Sequence, residues 1–289
     1  YVFKGWATSS TSEDVATNLA TKTVTSNLSY WAVFEEFNDI HMAGATDSKY
    51  FTITENGKIS VKAGVQLSGK IVLPNTLNGV TVTGIYGLDS DANTGVDGVG
   101  IFNQKNVTHI FLQNPNAFAA GFTIGKLGVS YAASDINNKL TYIELPTTGN
   151  VLIDWRAFQH AWNFMKGIDV SYVQDFFRRI GQINGYAFYG IRGGWTNGVY
   201  LYDNIASVST AAFNGTRGMI KTIQIGSPEA PFNDGTSRFP IVGNAPIFGN
   251  NGSVVPTLTI YTEDDHNSWI DTILPQFFGI NNASPTFPQ

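Results

Sequence analysis

A short phrase that recurs with variation in the second half of the chain constrains the fold more than any other feature. Each copy places two apolar residues two positions apart, which is the alternation of a strand with one buried face. The copies occupy residues 140–145, 165–170, 196–201 and 220–225. They predict inward-facing pairs on successive strands: Ile143 and Leu145, Ile168 and Val170, Val199 and Leu201, Ile223 and Ile225, with Ile110 and Leu112 on an earlier strand.

An aromatic landmark precedes these strands at a nearly constant distance. Phe158, Phe188 and Phe213 each lie ten or eleven residues before an inward-facing residue of the next strand, and Phe248 continues the series. From each strand to the next phenylalanine, the spacing varies between 14 and 25 residues. One fixed and one variable spacing indicate a rigid repeating unit that tolerates insertions on one edge, which is typical of a solenoid. We predict that the phenylalanines fill the core opposite the strands.

Composition favours a β-rich, turn-rich chain and excludes several classes of function. Charged residues make up only 13% of the 289 residues, against roughly 25% in soluble domains, and there are 30 glycines. The net charge is −5 and the basic residues are scattered, which excludes a nucleic-acid-binding stripe. There are no cysteines, so disulfides and thiolate sites are excluded.

No apolar run reaches the ~20 residues of a membrane span, so we expect no membrane insertion. The chain begins at Tyr1 without a signal peptide, and we expect it to be a processed protein or a part of a longer product.

The first 37 residues resemble a known module. The segments FKGWAT at 3–8 and YWAVFEE at 30–36 resemble the end of an internalin-type B repeat, a small β-grasp-like module of bacterial surface proteins and phage fibres. The resemblance lacks the module's first strand, which implies that an upstream segment or a neighbouring chain supplies it. Residues 38–78 follow as a linker and capping hairpins, because Asn56-Gly57 between two alternating strands predicts a hairpin.

Residues 79–289 resemble BspA-like leucine-rich repeats. The resemblance is carried by Leu73-Pro74, by VTGI at 82–85, and by the recurring strand and Ala-Phe landmarks. It implies a mainly β fold: a right-handed leucine-rich-repeat solenoid, preceded by the partial β-grasp-like module and the capping hairpin region. Residues 113–138 and 226–250 are expected to be long insertions, and Phe176 to Arg179 indicate a short amphipathic helix.

Two acidic stretches have some of the features of metal sites. Asp89, Asp91, Asn93 and Asp97 have the alternating oxygen ligands of a calcium loop, but the glycine comes one place late and Gly100 stands where the loop needs a glutamate. A polar surface turn is therefore favoured, with calcium as the alternative and no other cofactor indicated. Residues 263–266 (Glu-Asp-Asp-His) cannot all face one centre, which favours a solvated loop.

Catalysis has one candidate pair. Glu144 and Asp169 occupy equivalent outward places on adjacent predicted strands, and a strand spacing of ~4.8 Å approaches the carboxylate separation of a retaining glycosidase. The next equivalent places hold Tyr200 and Gln224, which favours an outer-face ladder. His41, His109, His160 and His266 are dispersed, with no nucleophile beside them, so we predict a protein that is not an enzyme.

Aromatic residues are the preferred binding candidates. Tyr142 and Tyr200 fall on the outward phase of their strands, and Tyr202, Trp155 and Trp195 lie nearby in the sequence. Exposed aromatic rings on a rigid sheet can hold saccharides or protein partners, although such rings can also fill core between irregular repeats.

These features together predict a structural or adhesion protein at an exposed surface. The favoured hypothesis is a bacteriophage virion appendage, a fibre or decoration subunit that contacts a host-surface glycan or protein. The alternatives are a secreted bacterial cell-surface adhesin, a cell-wall glycan depolymerase, and a purely architectural subunit. We expect an oligomer with protein partners in a virion or surface assembly, located on the virion surface or on the outside of a bacterial cell.

Overall fold

The structure is a computed structural model. It describes residues 2–7, 29, 31–35, 45–87, 102–118, 121–191, 197–216, 220–231, 241–242, 246–248, 256–262, 266, 269–280 and 284–288. The chain divides into two compact units, Tyr1–Gly44 and Ala45–Gln289.

The first unit contains a pair of antiparallel strands at the two places where the sequence predicts strands. Strand β1 spans Val2–Ala7 and β2 spans Trp31–Glu35. Ala7 lies opposite Trp31, and the register shifts between Phe3 and Gly5.

The second unit is built from sixteen described strands and one described α-helix. The strands are β3 (Phe51–Ile53), β4 (Lys58–Val61), β5 (Ser68–Leu73), β6 (Thr76–Leu77), β7 (Val80–Thr81), β8 (Gly84–Ile85), β9 (Asn106–Leu112), β10 (Thr123–Ile124), β11 (Tyr142–Ile143), β12 (Val151–Ile153), β13 (Ile180–Ile183), β14 (Val199–Leu201), β15 (Ser207–Ser209), β16 (Thr222–Ile225), β17 (Ile241–Val242) and β18 (Thr257–Ile260). Helix α1 spans Val170–Arg178, short 3₁₀ turns cover Ser48–Tyr50 and Pro115–Ala117, and a π-helical segment covers Trp269–Phe278.

The chain passes back and forth between two sets of parallel strands. The eight-stranded sheet has the order β17-β15-β13-β12-β10-β8-β4-β3, and only β3 at its edge is antiparallel to its neighbour. The intervening strands form two three-stranded parallel sheets, β11-β9-β5 and β14-β16-β18. We call the stretch from one strand of the eight-stranded sheet to the next a repeat. The predicted mainly β class is confirmed.

A ladder of aliphatic side chains joins the repeats along the eight-stranded sheet. Strand pairing places one such residue of every repeat beside its counterpart in the next: Ile59, Ile85, Ile124, Ile153, Ile183, Val208 and Ile241. From Ile59 to Val208 these residues are fully buried. Each buried aliphatic side chain contributes roughly 1.5–3 kcal/mol, and the ladder exists only because adjacent repeats stack.

The phenylalanine landmarks form a second stack through the core. The rings of Phe158 and Phe188 are 5.3 Å apart, those of Phe188 and Phe213 are 5.0 Å apart, and those of Phe213 and Phe248 are 5.1 Å apart. All four are fully buried. The backbone follows the same repeat, since the N–H of Phe158 donates to the carbonyl of Ala187 and that of Phe188 to Ala212. The prediction that these four residues share the core is confirmed.

Sharp corners recur in four successive repeats. The residues with a left-handed backbone are Leu127, Arg156, Tyr186 and Ala211, with φ between 53° and 58°. The last three lie two places before the landmarks Phe158, Phe188 and Phe213. Each such residue costs of order 1–3 kcal/mol when it is not glycine. Hydrogen bonds between repeats help to offset that cost, because the N–H of Leu127 donates to Trp155 and that of Arg156 to Gly185.

One repeat lies where the sequence predicts an insertion. Strand β10 pairs with β8 and β12, and Val129 takes the place of the landmark phenylalanine, with its N–H donating to Ala157. Residues 113–138 therefore contain a full member of the ladder, and the second predicted insertion, 226–250, contains the ladder strand β17. The parallel sheets also begin at β4 and β5, closer to the N-terminus than residue 79.

The predicted strand at 165–170 is wrong, and Val170 does not belong to the repeat core. Helix α1 begins at Val170, whose side chain is 44% exposed, and Asp169 caps it by accepting a hydrogen bond from the N–H of Ser171. A capping aspartate favours a helix start over a continued strand. Ile168 is half-buried against the core.

The other predicted strand residues face the core. Those on strands are Ile110, Leu112, Ile143, Val199, Leu201, Ile223 and Ile225, and Leu145 follows two residues after β11. All of them are buried, which confirms the inward phase that the repeating phrase predicts.

Truncation of Phe188 tests the stack. Phe188→Ala removes a ring that lies between two stacked neighbours, and we expect the free energy of unfolding to fall by about 3–5 kcal/mol. Chemical denaturation measures the change. Ile136→Ala is the control, because Ile136 is 61% exposed and its truncation should change stability by less than about 0.5 kcal/mol. A loss below about 1 kcal/mol for Phe188→Ala would contradict the stack.

Alanine substitutions at two glycines distinguish the energetic cost of backbone strain from that of steric crowding. Gly190 and Gly167 both have a φ of 72°, but a Cβ on Gly190 would lie 2.6 Å from Cδ2 of His160, whereas a Cβ on Gly167 meets nothing within 4 Å. We expect Gly167→Ala to destabilise the fold by roughly 1–2 kcal/mol through the backbone alone, and Gly190→Ala by more, because the buried ring must move. If thermal or urea unfolding gives equal losses of stability for the two variants, the His160 ring moves aside at no cost in free energy.

Candidate functional site: an aromatic platform

Aromatic side chains gather on the outer face of the first three-stranded sheet. Strand β9 turns Val107, Ile110 and Leu112 inward, and its alternation leaves His109 and Phe111 on the other face, half-buried. Pairing places His109 beside Tyr142 of β11, whose neighbour Ile143 points into the core.

The rings on this face form a row in which each ring contacts the next. His109 stacks on Phe111 with ring centroids 5.8 Å apart and planes within 6°, and Phe111 lies 5.9 Å from Tyr142. Tyr142 in turn meets Tyr172 of helix α1 edge to face at 5.9 Å. We call these four residues, His109, Phe111, Tyr142 and Tyr172, the aromatic platform.

Helix α1 supplies the most exposed member of the platform. Tyr172 lies in the first turn of the helix and is 52% exposed, although it touches the half-buried Tyr142. The helix is held in place by Val173, Phe176 and Phe177, which are buried in the core. The exposed ring is thus carried by a rigid element, which limits the side-chain entropy that binding would cost.

Charged and polar groups surround the platform. Lys70 pairs across the sheet with His109 and is exposed. On the other side, Glu144 accepts a hydrogen bond from the N–H of Leu112 at 2.9 Å, and Asp175 forms an ion pair with Arg179. Apolar ring faces with a polar rim are the arrangement that binding surfaces use.

Burial shifts the pKa values of two platform residues, Tyr142 and His109. Burial, followed by the charge of Glu144, raises the pKa of Tyr142, so its hydroxyl stays protonated. Burial, followed by the positive charge of Lys70, lowers the pKa of His109 below its usual 6.5. His109 and Tyr142 are therefore neutral rings at neutral pH, suited to contact with an apolar face of a ligand.

Tyr200 and Tyr202 are not part of an exposed surface, and that prediction is wrong. They are 6% and 3% exposed. Helix α1 packs against β14, so that Phe177 lies 6.4 Å from the ring of Tyr200 and the guanidinium of Arg178 lies 5.0 Å from the ring of Tyr202. The outward phase of the strand is right for Tyr200, but the helix covers that face.

Trp155 lies elsewhere, at a corner of the eight-stranded sheet. The guanidinium of Arg156 is 4.2 Å from its ring centroid and the ammonium of Lys126 is 5.0 Å away, and Arg156 also lies 5.5 Å from the ring of Tyr186. These cation–π contacts hold the half-buried indole in place. Trp195 lies outside the described residues.

The predicted carboxylate pair is separated by secondary structure. Asp169 is the N-cap of helix α1 and lies on no strand, and its pKa is lowered by the hydrogen bonds from Ser171. Glu144 is bonded to the backbone of β9. The equivalence on adjacent strands from which a glycosidase pair was inferred is therefore wrong.

Two kinds of feature are absent from the described part of the chain. Among those residues, no group of three or more His, Asp or Glu side chains could hold a metal ion. Asp89, Asp91, Asn93 and Asp97, and residues 263–265, lie outside it. No helix in the same part of the chain is long and apolar enough to cross a membrane.

No protein-family profile, curated protein or solved structure matches the chain. Sequence reasoning found Tyr142 and did not single out Phe111 as a binding residue, although Phe111 occupies the outward phase two residues after His109. Tyr172 could not be placed beside Tyr142 from the strand pattern, because the contact depends on the helix.

The lowered pKa of His109 predicts a pH-dependent stability. The unfolded chain protonates His109 below about pH 6.5, whereas the fold disfavours the charged ring, so this contribution is present above that pH and is lost as the pH falls below it. His109→Phe keeps an aromatic ring and removes the titratable imidazole. We expect the variant to gain stability relative to the unmodified protein between about pH 7 and pH 5. Urea denaturation over this range measures the difference, and a constant difference would contradict the assignment.

Proposed function

We propose that the chain is a non-enzymatic adhesion protein whose aromatic platform binds a glycan on a bacterial surface. The observation that carries the proposal is the contact between exposed Tyr172 and Tyr142, at the open end of a continuous row of four rings. Sugar rings present apolar C–H faces that pack on aromatic rings, and their hydroxyls would meet the charged rim.

We also propose that the second unit is a right-handed solenoid of the leucine-rich-repeat type. The support is the alternation of strands between the eight-stranded sheet and the two three-stranded sheets, with the aliphatic ladder along the eight-stranded sheet and the phenylalanine stack through four successive repeats. A solenoid suits adhesion because its stacked strands hold surface side chains at fixed spacing along an extended face.

The setting that we propose is a virion appendage of a bacteriophage, with a secreted bacterial adhesin as the second candidate. The support is the resemblance of residues 1–37 to a partial internalin-type B repeat and of residues 79–289 to BspA-like leucine-rich repeats, together with the absence of cysteine and the low charged content of 13%. A protein that works outside a cell without cysteine has no redox requirement for its stability.

Tyr172→Ala tests the platform. The variant removes an exposed ring, so it should fold normally and yet lose most of its binding to an array of bacterial cell-wall and capsular oligosaccharides, by about tenfold or more. Ile136→Ala removes an exposed apolar side chain outside the platform and should bind as the unmodified protein does. The proposal fails if no oligosaccharide binds above background, or if Tyr172→Ala binds unchanged. Capture of a protein ligand through the same rings would replace the glycan with a protein partner.

A further inference from the structure

A cleft of about 290 Å³ lies on the eight-stranded sheet, where β4, β8 and β10 are neighbours. It belongs to a different sheet from the aromatic platform. Its polar lining includes Thr54, Lys58, Thr123, Lys126 and Asp154, together with Tyr86. This volume is at the lower end of ligand pockets, so the cleft has room for one small ring and not for an oligosaccharide.

Glycines leave the backbone at the floor of the cleft without covering side chains. A Cβ on Gly87 would lie 2.3 Å from the backbone N of Lys126, and one on Gly125 would lie 2.7 Å from the backbone N of Gly87. A Cβ on Gly84 would lie 3.0 Å from the ammonium of Lys58. The backbones of two repeats thus approach so closely that side chains are excluded, and the side chain of Lys58 passes over the space that Gly84 leaves.

Lys58 brings a positive charge that the described residues do not neutralise. Its ammonium donates to the carbonyl of Thr83 at 2.9 Å and forms no ion pair among those residues. The side chain is half-buried, and this burial lowers its pKa. A partly desolvated ammonium with donors to spare favours an anion, whose approach would restore the lost solvation.

Asp154 brings an acceptor of fixed orientation. Its Oδ1 accepts hydrogen bonds from the N–H of Trp155 and from Nδ2 of Asn184, both at 2.7 Å. No described group donates to Oδ2, which leaves an acceptor for a hydroxyl. A carboxylate beside the cations also disfavours a dianion such as phosphate, because like charges repel at short range.

The aromatic components of the cleft complete its chemistry. Tyr86 lines it, and the ring of Trp155 holds the ammonium of Lys126 at 5.0 Å, which positions a second cation at the rim. Thr123 lies in register between Gly84 and Leu152 and adds a hydroxyl to the cleft. Two cations, one acceptor, hydroxyls and an aromatic ring match a sugar that bears a single negative charge.

We propose that this cleft binds a pyranose carrying a carboxylate, that is, a hexuronic acid unit. The carboxylate lies between the ammonium groups of Lys58 and Lys126, a ring hydroxyl donates to Asp154, and the sugar ring packs on Tyr86. The cleft is separate from the aromatic platform, so this proposal does not depend on the proposed function of the platform.

Titration of the full chain with three probes tests the cleft. D-glucuronate carries both ring and charge, D-glucose carries the ring alone, and acetate carries the charge alone. Ligand-observed NMR or calorimetry should give saturable binding for glucuronate and at least about tenfold weaker binding for the other two. Glucuronate binding should weaken as salt is raised, because the charge pairs are partly exposed.

Lys58→Met is the decisive variant. It keeps the length of the side chain and removes the charge, so it should fold normally and lose about tenfold or more in glucuronate affinity. Lys62→Met removes an exposed lysine four residues away and should bind as the unmodified protein does. Tyr172→Ala should also leave glucuronate binding unchanged, which distinguishes failure of the cleft from failure of the platform.

Four results would overturn the proposal. They are the absence of saturable glucuronate binding, equal affinity for glucose, equal affinity for acetate, and unchanged affinity in folded Lys58→Met. If Lys58→Met loses structure by circular dichroism, Asp154→Asn replaces it as the test. That variant keeps Oδ1 as an acceptor and puts an amide where a hydroxyl should be accepted, so glucuronate affinity should fall, and unchanged affinity would overturn the proposal.

Discussion

The stacking of each repeat on the next is the interaction on which the rest of the second unit depends. A single repeat has one to three inward residues per strand, too few to enclose a core of its own. Alignment of Ile153 with Ile183, and of Phe158 with Phe188, turns these small sets into continuous columns. The columns also fix the register, because a shift by one residue would turn the aliphatic ladder outward.

The arrangement of side chains on the outer surface follows from that strand register. Since Ile110 and Ile143 are locked side by side in the core, His109 and Tyr142 must lie side by side outside it. On the other sheet, alignment of Ile59 with Ile85 places Lys58 beside Gly84, which opens the space that the lysine side chain crosses. The platform and the cleft are thus consequences of core packing, and the platform also depends on helix α1, which carries Tyr172.

Helix α1 interrupts the repeat and determines which tyrosine side chains are exposed on this surface. It stands between the two three-stranded sheets, where the sequence pattern predicts one more strand. The same substitution of helix for strand has two effects on tyrosines. It carries Tyr172 to the edge of the platform, and it covers Tyr200 behind the ring of Phe177. A strand at this place would have left Tyr200 open and the platform one ring shorter.

The sequence by itself determined the β class, the Asn56-Gly57 hairpin, the strands that carry Ile143, Val199 and Ile223, and the phenylalanine column, because alternation and fixed spacing are local properties of the chain. It did not reveal the eight-stranded sheet, whose strands are often only two or three residues long, although Ile153 and Ile183 each stand five residues before a landmark phenylalanine. Which rings are exposed was decided by the tertiary structure alone. Exposure depends on what packs over a face, and residues distant in the sequence supply that cover.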